Sequence, residues 1–219
     1  MRKLALHLLI LNIFCLNSVY SAPLQSLDEL PANYKKVFSF PINILEGNTI
    51  ILTAEVPAGF KPGEDLGKMI DAGLIEYIPE KENVNTWTEI ITFVPIAGKQ
   101  LSADTVVDNT ATWIKEKTSD LAFVKRDKIH TKKYDTSEAF IAYTANDQRE
   151  LLWIYGASGP ADTAVVQYTI RIPKQLKKEN LTPYIEKITA FKNKYIKITN
   201  GIRTEKDVVV PAEQDEHKQ

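Results

Sequence analysis

Gly156-Ala157-Ser158-Gly159-Pro160 is the nearest approach to a catalytic motif in this 219-residue chain. A nucleophile elbow needs G-x-S-x-G at a strand-to-helix turn, so that the serine hydroxyl projects above the sheet towards a histidine base. His130 is the one histidine in the body of the chain, because His7 and His217 lie at its two ends. The pattern departs from the motif in two ways. Its fifth position is Pro160, and the residues that follow return to strand-like alternation rather than a helix. A hairpin turn over Gly156–Pro160 is the better reading. His130, set among Lys128, Lys132 and Lys133, reads as an exposed imidazole without a partner. Glycosidase chemistry needs two acids converging in a cleft. Glu76, Glu80, Glu82 and Glu89 are available, although Glu80-Lys81-Glu82-Asn83 has the character of a solvent loop. No catalytic residue is assigned.

Metal and redox chemistry are narrowed in the same way. The single cysteine, Cys15, lies in the amino-terminal apolar stretch, so the remainder has no thiol nucleophile, thiolate metal site or disulfide framework. One body histidine excludes multi-histidine zinc centres. An all-carboxylate calcium site stays open, but neither a D-x-D-x-D-G loop nor a glycine-rich phosphate loop occurs. No cofactor and no metal are expected.

Binding chemistry rests on charge. The chain carries 27 Lys plus Arg against 28 Asp plus Glu, a balance that excludes a generic nucleic-acid binder. Within that balance, residues 23–114 hold 6 basic and 13 acidic side chains, residues 115–133 hold 7 and 3, and residues 171–207 hold 10 and 4. Lys174, Lys177 and Lys178, followed by Lys187, Lys194 and Lys197, form a candidate basic face. It suits an acidic protein or anionic lipid headgroups if it is more than a solvated surface. Trp87, Trp113 and Trp153 fall on elements expected to face the core, which favours packing over a ligand platform.

These residues must be positioned by the following elements. Val37–Ile42 and Thr49–Val56 read as strands joined by a turn at Glu46-Gly47-Asn48, with Pro57-Ala58-Gly59 as a break. A short helical turn follows to Ala72. Leu74–Ile78 and Thr86–Val94 come next, the latter alternating with both faces apolar, as a central strand does. Ser102 caps a helix whose stripe is Val106, Thr110, Trp113, Ile114 and Lys117. Four strand-like runs follow, 122–129, 139–143, 150–155 and 164–172, and the turn chemistry of Asn146-Asp147 and Gly156–Pro160 between the last three points to an antiparallel meander. A closing helix starts with Thr182 as cap and Pro183 at its first position, carries Tyr184, Ile188, Phe191, Tyr195 and Ile198 on one stripe, and stops at Asn200-Gly201. The expected fold is α+β: one domain over residues 37–202, an antiparallel sheet covered by two main helices.

The ends are read separately. Met1-Arg2-Lys3 followed by a thirteen-residue apolar stretch, Leu4 to Leu16, then small and polar residues, has the order of a secretory signal peptide. Thirteen helical residues span roughly 20 Å, short of the ~30 Å hydrocarbon core. Cleavage between Ser21 and Ala22 puts Val19 at the −3 position and gives a signal of residues 1–21. Residues 22–36 are expected as an exposed lead-in and 203–219 as a disordered acidic tail.

The signal, Val56-Pro-Ala-Gly-Phe60, and Thr86-Trp-Thr-Glu-Ile-Ile-Thr92 resemble small exported proteins of unknown chemistry from intracellular gammaproteobacterial pathogens. The order of sheet, helix, meander and closing helix resembles the PsbP/Mog1-like sandwich. That resemblance implies a binding scaffold without cofactor. The expectation is a non-enzymatic periplasmic accessory protein with a protein partner in the bacterial envelope, supporting an envelope or virulence-related secretion machine. Two alternatives stand beside it: a secreted host-directed exoprotein that binds anionic lipid or glycan, and a serine or carboxylate hydrolase. Partner identity and oligomeric state are left open.

Overall fold

The computed structural model describes residues 37–45, 48–64, 68–69, 73–96, 101–118, 120–131, 133–160, 162–177 and 180–201. The expected signal, its cleavage point at Ser21 and Ala22, the lead-in, the tail, most of the helical turn ending at Ala72, and Lys178 lie outside the described residues. In chain order the elements are β1 (Val37–Leu45), β2 (Asn48–Glu55), β3 (Phe60–Pro62), β4 (Ile75–Pro79), β5 (Glu89–Ile96), α1 (Ala103–Lys117), β6 (Ala122–His130), β7 (Asp135–Ala145), β8 (Gln148–Ser158), β9 (Thr163–Ile172), α2 (Thr182–Tyr195) and β10 (Ile196–Gly201). Among the described residues the fold is α+β, with antiparallel sheets and two main helices. One sheet has three strands in the order β1-β2-β10. The other has seven, in the order β3-β4-β5-β9-β8-β7-β6.

Strand periodicity divides the seven-stranded sheet into two buried faces. On one face Phe140, Leu151, Trp153, Val166, Tyr168, Ile91 and Phe93 join Ile42, Ile50 and Leu52 of the small sheet and Leu181, Ile188 and Phe191 of the closing segment in one cluster. On the other, Ala139, Ile141, Tyr143, Leu152, Ile154, Val94 and Val165 meet Val106, Val107, Ala111, Trp113 and Ile114 of α1. The layers are therefore α1, the large sheet, then the small sheet beside α2. Double burial explains why β7, β8 and β9 read as nearly continuous apolar runs. β5 lies between β4 and β9, the central place its two apolar faces predict. Trp87 precedes that strand instead of lying on it, and packs with Ile78 and Ile90 in a small third cluster.

The turn chemistry holds at Asn146 and Asp147, whose φ values of 49° and 63° give the left-handed pair a two-residue hairpin needs. It fails at Gly156. β8 runs on through Ser158, and the turn proper lies beyond it, closed by Gly159 N–H donating to Asp162 O at 3.1 Å. Gly156 serves packing: a Cβ there would meet Ala103 O at 3.1 Å and Ala103 Cα at 3.4 Å, so its absence lets the first turn of α1 lie directly on the strand.

The closing helix also differs from expectation. Leu181 is its N-cap, without a side-chain hydrogen bond, and Thr182 and Pro183 are its first two residues. It stops at Tyr195, and the chain enters β10 with no loop, antiparallel to β2 from Ile196↔Ala54 to Gly201↔Thr49. Ile198 follows Tyr195 at a helical spacing, but Ile196-Lys197-Ile198-Thr199 also alternates at the strand period. Pairing with β2 decides between them by packing Ile196 and Ile198 against the shared core.

Charges bind α1 to the sheet edge. Arg126 of β6 donates to Asp108 at 2.5 Å, and Lys128 donates to Asp104 at 2.6 Å. Beyond α1, Asp120 accepts from Thr144 N–H at 2.7 Å, Thr144 Oγ1 at 2.6 Å and Arg149 at 2.9 Å. Partial burial raises the pKa of both carboxyls, but the hydrogen bonds and neighbouring cations outweigh it and leave both below the ordinary value.

Two predictions follow from this packing. Gly156→Ala should destabilise the fold by about 1–2 kcal/mol in chemical denaturation, because the added methyl must displace helix backbone; full stability in that variant would refute the close approach. A carboxyl whose folded pKa is depressed stabilises the fold above its unfolded value of 3.8 and loses that contribution as pH falls through the lower folded value. Melting temperature should therefore decline below about pH 4, and Asp104→Asn and Asp120→Asn should each flatten the decline.

Candidate functional site

Ser158, His130 and Asp135 do come together, in one register row. His130 ends β6 opposite Asp135 at the start of β7, and Asp135 lies opposite Ser158 at the end of β8. The order in that row decides the chemistry. A hydrolase triad sets the imidazole between acid and serine, whereas here the carboxylate strand stands between the other two. Strands are about 4.8 Å apart, so His130 and Ser158 are separated by about 9–10 Å of sheet, beyond the ~3 Å reach of a general base. Ser158 is 5% exposed. Its Oγ accepts the first amide of α1, Ala103 N–H, at 2.9 Å. His130 has the partner its sequence neighbours did not suggest, with Nδ1 3.2 Å from Asp135 Oδ1, and its side chain is 65% exposed.

A cleft of about 430 Å3 opens at this corner, between the start of α1, the β6–β7 turn and the β8–β9 turn. Leu101, Tyr134, Gly159 and Pro160 supply contour, and Ser102, Thr131, Lys133, Asp135 and Ser158 supply polarity. Much of that polarity is internally engaged. Thr131 Oγ1 donates to Tyr134 O at 2.6 Å and accepts the N–H groups of Lys133 and Tyr134. Ser102 Oγ caps α1 by accepting Thr105 N–H at 3.0 Å.

The acids proposed for glycosidase chemistry are dispersed. Glu76 is buried opposite Thr92, whose hydroxyl donates to it at 3.4 Å. Glu89 lies three residues before Thr92 on β5, and an odd separation puts it on the other face of the sheet. There it accepts from Tyr168 and Lys187. Glu82 closes its loop on Thr88, and Glu80 is exposed.

The candidate basic face is likewise divided. Lys187 and Lys194 share a flank of α2, seven residues apart. Lys187 pairs with Glu89, and Lys194 lies 4.9 Å above the Tyr195 ring. Lys197 is on β10, not on the helix, with Glu55 at 3.9 Å. Lys174 is exposed with Asp147 at 3.7 Å, and Lys177 is exposed. The outermost face of α2 carries Thr182, Glu186, Thr189, Ala190 and Asn193, a surface without excess positive charge.

Sequence reasoning missed the carboxylates that face neighbouring strands. Glu138 on β7 is 8% exposed; it accepts Trp153 Nε1 at 2.8 Å and Lys192 Nζ at 2.8 Å to each oxygen. Lys192 also lies 5.6 Å from the Tyr155 ring, and burial pushes the Tyr155 hydroxyl up to about 12. Glu150 accepts from Tyr143, whose phenol burial drives well above its usual range. All three tryptophans are buried in apolar clusters, and Trp87 also carries the Arg171 guanidinium 4.0 Å above its ring. No local motif marks these contacts, since each joins residues from different strands.

No family model and no curated protein matches the chain. Solved structures with a comparable arrangement include the Ran-binding protein Mog1p of Saccharomyces cerevisiae, at 12% identity over 74% of this chain and 96% of that one, with a TM-score of 0.43. Cyanobacterial PsbP from Synechocystis sp. PCC 6803 matches at 8% identity over 81% and 100%, with a TM-score of 0.43. LpqN of Mycobacterium tuberculosis, described as involved in cell envelope biogenesis, matches at 9% identity over 81% and 99%, with a TM-score of 0.42. The likeness is one of fold outline and carries no functional residue across. Among the described residues no group of three or more His, Cys, Asp or Glu could hold a metal ion, and no helix is long and apolar enough to cross a membrane.

The Glu138–Lys192 contact has a direct test. Lys192→Ala leaves a nearly buried carboxylate with Trp153 Nε1 still donating to it but no cation beside it from α2, and should cost about 2 kcal/mol, discounted from the fully buried case because Lys192 is 31% exposed. The joint change Glu138→Gln with Lys192→Met should recover most of that loss in equilibrium unfolding. Equal loss in the single and joint variants would show that the charge pair is not the cause.

Proposed function

We propose that this chain is a non-enzymatic interaction protein of the bacterial periplasm, accessory to an envelope or virulence-related secretion machine. It meets its protein partner at the corner between the β6–β7 turn, the β8–β9 turn and the start of α1. The observation that carries this reading is how the groups of that corner are engaged. Ser158 Oγ holds the Ala103 amide, His130 holds Asp135, and the Thr131 hydroxyl holds its own turn, around an open cleft of about 430 Å3. A covalent catalyst needs an activated nucleophile with a base in reach, which the register denies to Ser158. What the corner offers is shape: a partly exposed Tyr134 beside Pro160. Aromatic and apolar anchors within a polar rim suit a protein surface. The signal read at residues 1–21 supports the compartment.

A photo-crosslinking amino acid at position 134, compared with one at Thr189 on the outer face of α2, tests this in intact cells. The expected result is a discrete adduct from position 134 in the periplasmic fraction and none from position 189. No adduct at 134, or equal adducts at both positions, would overturn the assignment.

A further inference from the structure

The two edges of the seven-stranded sheet are unlike. β3 has three residues and includes Pro62, which has no N–H to offer a further strand. β6 has nine residues and hydrogen-bonds to β7 alone, so its outer rim presents backbone donors and acceptors with no strand beside it among the described residues. Ile129, near its end, is the one large apolar side chain exposed among the described residues.

Exposed edges are commonly blunted by charge and by bulges. β6 has both, with an irregular register between Phe123 and Lys125 and four charged residues at 125–128. The signs on it are mixed, however. Lys125 and Asp127, two residues apart and on the face turned away from α1, pair along the strand at 2.6 Å. That spacing rejects strands of unmatched charge but is complementary to itself.

Antiparallel addition of a second copy about a twofold axis at Arg126 sets Lys125 of each copy opposite Asp127 of the other. The two pairs then close into a ring of four alternating charges. Symmetric registers centred on Lys125, Asp127 or Lys128 set that residue against its own copy and form no Lys–Asp pair. In the favoured register the like-charge meeting is Arg126 with Arg126, and each guanidinium is already held by its own Asp108 at 2.5 Å and Asp104 at 3.6 Å. The same register carries Ile129 alongside the bulged end of the second strand. We propose that β6 is a homodimer interface, joining two seven-stranded sheets edge to edge into one antiparallel sheet. This is independent of the corner assignment, since it stands whether or not a protein partner binds there.

Sedimentation equilibrium of the purified chain over a wide concentration range tests it. The wild type should reach twice the chain mass. Asp127→Lys and Lys125→Asp, each turning two attractive cross-strand pairs repulsive, should raise the dimer dissociation constant about tenfold or more. Their thermal unfolding as monomers should stay near that of the wild type, because the pair along the strand is 54% and 50% exposed and contributes little to folding. The combined swap Lys125→Asp with Asp127→Lys should restore the dimer. A wild type that stays monomeric, a dimer indifferent to either single change, or a combined swap that stays monomeric would each overturn the proposal.

Discussion

Burial of both faces of β7, β8 and β9 forces two covers onto the large sheet, since one open face would expose Trp153, Tyr168 and Val166 and the other Ile141, Ile154 and Val165. One cover is a single helix, α1. The other is composite, the small sheet beside α2, and the absence of a loop between α2 and β10 makes its two parts one continuous piece of chain. Gly156 belongs to the same constraint, because α1 reaches its place only where the strand beneath it lacks a Cβ.

Apolar burial holds the covers down but is non-directional, and charge supplies their alignment. Asp104 and Asp108 meet Lys128 and Arg126 along the β6 side of α1. Lys187 reaches Glu89 on β5 from one flank of α2, and Lys192 reaches Glu138 on β7 from the other, so the helix straddles the strands between. Several groups that looked like reagents or a charged binding face in the sequence, Ser158, Glu89 and Lys187 among them, are thereby committed to positioning elements. The two surfaces proposed for binding are the corner cleft and the outer rim of β6.

Much of the fold was legible in the chain. The meander, the two helices, the Asn146-Asp147 turn and the central place of β5 follow from local rules of periodicity and backbone conformation. The errors share a cause. Gly156 and Tyr195–Ile198 each satisfy two local patterns at once, turn or strand and helix or strand, and a partner far along the chain decides between them: Ala103 for the first and β2 for the second. The corner was half legible. Ser158 and His130 stood out by type, but Asp135 between them did not, because its place depends on the register of three strands.

The sequence by itself determined the class of fold, the poverty of thiol and imidazole chemistry and the balance of charge, all properties of composition and local pattern. Tertiary structure decided what each reactive group is attached to. It set Asp135 between His130 and Ser158, separated Glu76 from Glu89 across the sheet, drew Lys187 and Lys192 onto carboxylates and left β6 at an edge. Such relations are fixed by strand order and register, which arise from pairings between residues distant in the chain and have no local signature.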